Sequence, residues 1–251
     1  MSRWLKALPL AMALTAMGIL TASCGSTGTT QVRFVNAIQD TAQYGAGLDI
    51  QISGTKEFTD VPFFGYSPSS GYTNVTSGGT LLEALETGSA TAVFSADISL
   101  AAGSQHTLVA TGFATNSAKV AVITATDNNT APMGNNVEFR VIDASPSGPS
   151  GVDVYIIPVG SSGTLTPPAT ITNLAYRSAS NYVTLPYNSN SADGANFTMF
   201  VTATGTITPI LLTQSLSAGT STEGAIRTLV LTDQENIDQL NPLAIVLNDL
   251  N

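Results

Sequence analysis

The sequence predicts an all-β protein: two tandem antiparallel β-sandwich domains of immunoglobulin-like type behind a signal peptide. Three observations predict it. Apolar residues recur with period two in short β-branched runs, the chain matches itself over most of its length, and only 10% of its 251 residues are charged. A mean hydropathy of +0.22 is too apolar for a disordered acidic tail. Eight Lys and Arg against seventeen Asp and Glu give a net charge of −9, so nucleic acid is not expected as a partner, since phosphate binding needs a basic face.

Residues 1–23 read as an address. Arg3 and Lys6 precede an uncharged run carrying Leu8, Leu10, Met12, Leu14, Met17, Ile19 and Leu20, the charged and apolar regions of a secretory signal peptide, too short to span a bilayer comfortably. The run ends in Leu20, Thr21, Ala22 and Ser23, directly before the one cysteine, Cys24. This resembles a bacterial lipobox, with Thr21 where Leu is usual. The resemblance implies cleavage before Cys24, a diacylglycerol thioether on its sulfur and an acylated amino terminus. Two or more acyl chains make a stable membrane anchor where one does not. Gly25 stands where Asp resembles an inner-membrane retention signal, so the outer membrane of a bacterial envelope is the expected location, on its periplasmic or surface face. With Cys24 lipidated, no disulfide forms and stability rests on apolar burial. Residues 24–30 are then the lipidated Cys and a flexible polar tether. The mature chain carries six basic and seventeen acidic residues, a net charge of −11.

The remainder is one unit written twice. Val32-Arg33-Phe34-Val35-Asn36-Ala37 answers Phe139-Arg140-Val141-Ile142-Asp143-Ala144, and Gly47-Leu48-Asp49-Ile50 answers Gly151-Val152-Asp153-Val154. Tyr66 and Tyr72 answer Tyr176 and Tyr182; Ser99 to Gly103 answers Ser215 to Gly219; Thr107-Leu108-Val109 answers Thr228-Leu229-Val230; and Ala121-Val122-Ile123 answers Ala244-Ile245-Val246. Two domains follow, residues 31–132 and 136–251, joined by a polar stretch containing Pro132 and Gly134.

Within each unit the alternation of Leu48, Ile50 and Ile52 with Asp49 and Gln51, and the spacing of Gly, Pro, Ser and Asn clusters, signal an antiparallel sandwich. Outward Thr and Ser supply a wet face without charge. Leu81 to Glu86 has helix-favouring composition, but its counterpart from Phe197 to Thr204 favours strand. Both copies are therefore expected as strands that turn at Gly88 and Gly205 into strands over 91–98 and 207–212.

The string Phe139-Arg140-Val141-Ile142-Asp143-Ala144-Ser145-Pro146, followed by Val152-Asp153-Val154-Tyr155, resembles the opening of the domain of unknown function 4397. Tyr182, the hairpin at Gly205 and the later Thr-Leu-Val strand fit the same pattern. The first unit is similar to it more loosely, with Gln39-Asp40 in place of the Ser-Pro turn and Gln51 in place of the Tyr. The resemblance implies a secreted or surface β-sandwich, often in tandem and often behind a lipobox. It implies no activity.

Catalytic chemistry has little to build on. Serine catalysis needs a base, and the one His, His106, precedes an apolar strand and reads as a half-buried packing residue. Gly65-Tyr66-Ser67-Pro68-Ser69 and Gly219-Thr220-Ser221-Thr222-Glu223 both lack the closing Gly of a nucleophile elbow. One His and one lipidated Cys make no zinc set, and phosphate and dinucleotide loops are absent. A carboxylate-dependent hydrolase would draw on Asp49, Asp153, Glu83 or Glu86. Asp127 to Thr130 and Asn188 to Asp193 offer calcium-type oxygens, though Asx turns account for them. Arg33 with Asp49, and Arg140 with Asp153, are expected to form cross-strand ion pairs that fix register. The four Tyr read as core residues or as a sugar-binding face. No catalytic residue, cofactor or metal is expected. The functional reading is a non-catalytic, membrane-anchored surface lipoprotein, lipidated at Cys24, whose partner is another envelope protein or a glycan. A small-ligand or polysaccharide-binding module is the alternative, which exposed Tyr side chains would favour.

Overall fold

In the computed structural model the described residues are 28–39, 47–160, 164–186, 196–217, 224–233 and 242–249. The signal peptide, Cys24 and the Asn188–Asp193 segment lie outside them. Most of the described residues lie in strands. The first unit contains β1 (Thr29–Gln39), β2 (Leu48–Ile52), β3 (Thr55–Val61), β4 (Gly65–Ser67), β5 (Thr73–Thr76), β6 (Gly78–Glu86), β7 (Ala92–Leu100), β8 (Gln105–Phe113) and β9 (Ala121–Thr126). The second contains β10 (Asn136–Asp143), β11 (Gly151–Pro158), β12 (Ile171–Ala175), β13 (Ser178–Ala179), β14 (Val183–Pro186), β15 (Asn196–Ala203), β16 (Ile210–Ser217), β17 (Ile226–Asp233) and β18 (Pro242–Asn248). Both ambiguous segments are strands, β6 and β15. Gly88 and Gly205 lie just beyond them with φ of +81° and +75°, a left-handed backbone that glycine adopts without strain.

The strands form four sheets. In the first unit β4-β1-β8-β9, with β5 also on β1, faces β3-β2-β6-β7; in the second β13-β10-β17-β18, with β14 on β10, faces β12-β11-β15-β16. Pairing is antiparallel except for β1 with β8 and β10 with β17, which run parallel. Parallel neighbours need a long crossover, and here it carries the whole opposing sheet together with β4 and β5 in the first unit and β13 and β14 in the second.

Each unit has its own core. Val32, Phe34 and Ile38 of β1 pack on Leu48, Ile50, Leu82 and Phe94. In the second unit Val137, Phe139 and Val141 pack on Val154, Phe197, Met199 and Leu229. Phe139 and Phe197 meet edge to face at 5.2 Å, the arrangement that aligns a ring edge with a partner's π-face.

A third apolar cluster joins the units. Val35, Ala37, Val109, Ile123 and Ala125 of the β1 sheet pack against Ile142, Ala144, Val230, Ile245 and Leu247 of the β10 sheet. The two central sheets are thus covered on both faces and the four sheets stack as one body. This explains why β8 and β17 carry unbroken apolar runs such as Leu108-Val109-Ala110 and Leu229-Val230-Leu231, where a half-exposed strand would alternate.

The registers refine two correspondences between the units. Ile123 opposes Val109 as Ile245 opposes Val230, so Ile123 answers Ile245, one residue from the sequence alignment. Tyr66 opposes Val35, and the residue opposite the equivalent Ile142 is Ala179. Tyr66 therefore does not answer Tyr176, whereas Tyr72 and Tyr182, next to Thr73 and Val183, do correspond. Five residues separate Ser67 from Thr73, but only two separate Ser180, the equivalent of Ser67, from Val183. The first unit is three residues longer at this loop.

Candidate functional site

The side chains with most chemical potential converge where the two central sheets meet. Arg33 points from the outer face of β1, away from its own core, because Val32 and Phe34 take the inner face. Its Nε donates to Thr107 Oγ1 at 2.8 Å, its Nη1 to the Asn248 carbonyl at 2.9 Å, and its Nη2 to the carboxylate of Asp249. Arg140 repeats the pattern with the units exchanged: Nε to Thr228 Oγ1 at 3.1 Å, Nη1 to the Thr126 carbonyl at 2.8 Å, and Nη2 to Asp127. Asp127 also lies 3.5 Å from Arg33. Each arginine of one unit is held by the aspartate that follows the last strand of the other.

The rest of the cluster satisfies the remaining oxygens. Thr107 and Tyr72 donate to Asp127 at 2.7 and 2.8 Å, and Thr228 and Tyr182 donate to Asp249 at 2.6 and 2.7 Å. The guanidiniums stack on the same tyrosines, 5.1 Å from Tyr72 and 4.7 Å from Tyr182. The four charged side chains are at most 3% exposed, and two positive charges balance two negative ones. Burial, offset by Asp249 and Asp127, leaves Arg33 above its ordinary pKa. Burial also pushes Tyr72 and Tyr182 up, with the neighbouring carboxylates adding to it, so both remain hydrogen-bond donors at any physiological pH.

This arrangement overturns the expected Arg33–Asp49 and Arg140–Asp153 pairs. β1 and β2 lie in opposite sheets, and Arg33 faces away from β2. Asp49 instead binds Lys56 and the backbone N–H of Asp60 at 3.0 Å. Despite the burial that opposes it, these bonds hold the Asp49 carboxyl below the usual range. Asp153 accepts from the backbone N–H of Asn173 and of Gly205, both at 2.8 Å. Asp60 and Asn173 have φ of +52° and +50°, so the recurrent aspartate secures a left-handed bend in each unit. As for the other carboxylates named for a hydrolase, Glu83 lies opposite Gln51 and Glu86 opposite Leu48 in the β2–β6 ladder.

Asp127 binds Arg140, Tyr72 and Thr107. Among the described residues no three His, Cys, Asp or Glu side chains gather as metal ligands. His106 is buried more deeply than expected, at 2% exposure. Thr126 lies 3.3 Å from its Nδ1 and its Nε2 has no partner.

At the opposite end of the central sheets Asp143 and Asp233 are both buried. Asp143 accepts from the Ser145 N–H at 3.0 Å, and Asp233 accepts from Ser145 Oγ and the Ser147 N–H. Burial, with the nearby charge of Asp233, pushes the Asp143 carboxyl up to about 7. Its counterpart in the first unit is Asn36, whose Oδ1 accepts from Ile38 N–H at 3.1 Å and whose Nδ2 donates to the Val61 carbonyl at 3.1 Å.

One small cleft opens on the Arg–Asp cluster. β4 supplies Tyr66, the longer loop after it supplies Ser69, Ser70 and Gly71, the second unit supplies Asn248, and Arg33 lines the cleft from within. The cleft holds about 50 Å³, room for a few waters.

The sequence profile of Domain of unknown function (DUF4397) matches residues 30–155, half of the chain. The chain belongs to the DUF4397 family. The match takes in the first unit of this DUF4397 protein and runs into β11 of the second. No curated protein matches the sequence. Solved structures similar to the DUF4397 chain include a family 26 carbohydrate-binding module from Eubacterium rectale Amy13K in complex with maltoheptaose. It is 10% identical, with 87% of this chain and 96% of that one covered and a TM-score of 0.28. A second set is described as α-glucan recognition by family 41 carbohydrate-binding modules from streptococcal virulence factors, at 8% identity, 81% and 93% coverage and a TM-score of 0.28. The Bacillus anthracis TIE protein is 10% identical over 82% of this chain and 33% of its own, with a TM-score of 0.26. Likeness at this level adds nothing to what the strands already show.

Proposed function

We propose that this DUF4397 protein is a non-catalytic component of the bacterial cell envelope, anchored by lipid on Cys24 in the outer membrane, with an interaction or scaffolding role. The observation that supports it is the use made of the reactive side chains. Arg33 and Arg140 bind Asp249 and Asp127 across the two sandwiches, and Tyr182 and Tyr72 hold those aspartates from within their own units. β1 begins at Thr29, so the five steps from Cys24 reach at most about 18 Å and hold the fold close to the bilayer. Mass spectrometry of the mature amino terminus from membranes, beside a Cys24→Ala variant, tests the anchor. An acylated Cys24, and loss of the variant from membranes, is the expected result. An unmodified terminus cut elsewhere on a protein found in the medium would overturn it.

A second reading, a polysaccharide-binding module, is favoured by one observation. Tyr66 is 37% exposed and borders the polar cleft, whereas Tyr72 and Tyr182 are committed to the seam.

A further inference from the structure

We propose that the cleft formed by the three-residue extension of the β4–β5 loop is a binding subsite for a neutral, hydroxyl-rich ligand: a vicinal diol on a sugar ring that lies against Tyr66. The inference rests on the polysaccharide-binding reading and gives it a location and a ligand class.

The two units match at the Arg–Asp cluster: Arg33 with Arg140, Thr107 with Thr228, Tyr72 with Tyr182, Asp127 with Asp249. The match breaks at this loop. The structural core needs only the short version, because Arg140 stacks on Tyr182 and reaches Asp127 without an extension. The extra residues of the first unit instead carry Ser69 and Ser70 to an exposed rim above Arg33, and Tyr66 stands where the second unit has only Ala179. The cleft exists only when the units are docked, since Asn248 closes its far side.

Its chemistry selects a neutral ligand. A guanidinium carries five N–H donors in a fixed fork. Thr107, Asn248 and Asp249 accept three of them, with Asp127 near a fourth, so at least one donor remains for the cleft. The charge of Arg33 is already neutralised by the two carboxylates, and the protein as a whole is strongly acidic, which disfavours an anion. Hydroxyls can accept from Arg33 and donate to the Ser69, Ser70 and Asn248 oxygens. The apolar face of a sugar ring matches the exposed ring of Tyr66, a large rigid surface with a polar tip. About 50 Å³ admits the edge of one ring, so the ligand is an end or a single exposed residue of a glycan.

The test is titration calorimetry of the mature protein with maltohexaose, cellohexaose and xylohexaose, with trigalacturonate as the anionic control. Tyr66→Ala removes the ring from an exposed position, and Ser69→Trp fills the cleft; neither replaces a residue of the Arg–Asp cluster. Saturable binding of at least one neutral oligosaccharide, weakened tenfold or more in both variants, is the expected result. Binding that both variants retain at full strength overturns the cleft while leaving the polysaccharide reading in place. Binding of none of the neutral probes overturns both, and preference for trigalacturonate overturns the neutral ligand class.

Discussion

Arg33 and Asp249, 216 residues apart in the sequence, form a buried ion pair that joins the first strand of one sandwich to the residue after the last strand of the other. Removing one member leaves an uncompensated charge in a buried seam, which costs about 3–5 kcal/mol, whereas replacing both with apolar side chains is often close to neutral. Asp249→Ala is therefore expected to lower the urea midpoint sharply and Arg33→Met with Asp249→Leu to recover most of it. A double variant no more stable than Asp249→Ala would show that the pair matters for something beyond its charge.

The seam also fixes how the molecule unfolds. With a shared apolar cluster and two exchanged ion pairs, the Cys24→Ser chain is expected to melt in one transition, its calorimetric and van't Hoff enthalpies agreeing. Ile142→Glu buries a charge between Val35 and Val230 and should separate the melt into two. Two transitions in the parent chain would mean that the sandwiches are energetically independent.

Asp143 supplies a pH dependence with a definite sign. Its folded-state pKa, about 7, lies above the ordinary value near 4. Below about pH 4 both states are protonated; as pH rises toward about 7 the unfolded chain releases a proton that the folded one retains, so stability falls. Asp143→Asn, the residue its counterpart Asn36 already is, removes this loss. The variant is expected to gain roughly 2–4 kcal/mol over the parent at pH 8 and nothing at pH 4. Melting curves of both proteins across that interval measure it, and a gain independent of pH would refute the assignment.

Gly112 tests the packing at the end of β8. Its φ is +125°, and a Cβ there would stand 2.4 Å from the Lys119 carbonyl oxygen, a backbone atom. Gly112→Ala is expected to cost about 2–4 kcal/mol, read from chemical denaturation. Gly88→Ala, also at positive φ but with nothing within 4 Å, should cost less.

Much of this fold could be read from period and repetition. The alternation in Leu48 to Ile52 and the self-match of Arg33 with Arg140 each give strands and two units, and the strand-like composition of Phe197 to Thr204 correctly outweighs the helical one of Leu81 to Glu86. What stayed hidden is what the repeated residues do. Arg33 and Asp49 recur together, and proximity in sequence suggests that they pair, but β1 and β2 lie in opposite sheets. The true partners, Asp127 and Asp249, follow the last strand of each unit, four residues beyond Ile123 and Ile245. An alignment shifted by one residue at that strand conceals their equivalence. The unbroken apolar runs of β8 and β17 were the available sign that the central sheets are covered on both faces.

The exchange of arginines and aspartates has a consequence for assembly. A surface that meets its own copy about a two-fold axis is what a symmetric homodimer presents, and here the copies occupy one chain. Nine residues, 127–135, connect β9 to β10, so the partner is always present at a high effective concentration. Assembly of the seam then no longer depends on how much protein the cell makes. The lengthened β4–β5 loop makes one side of that surface unlike the other.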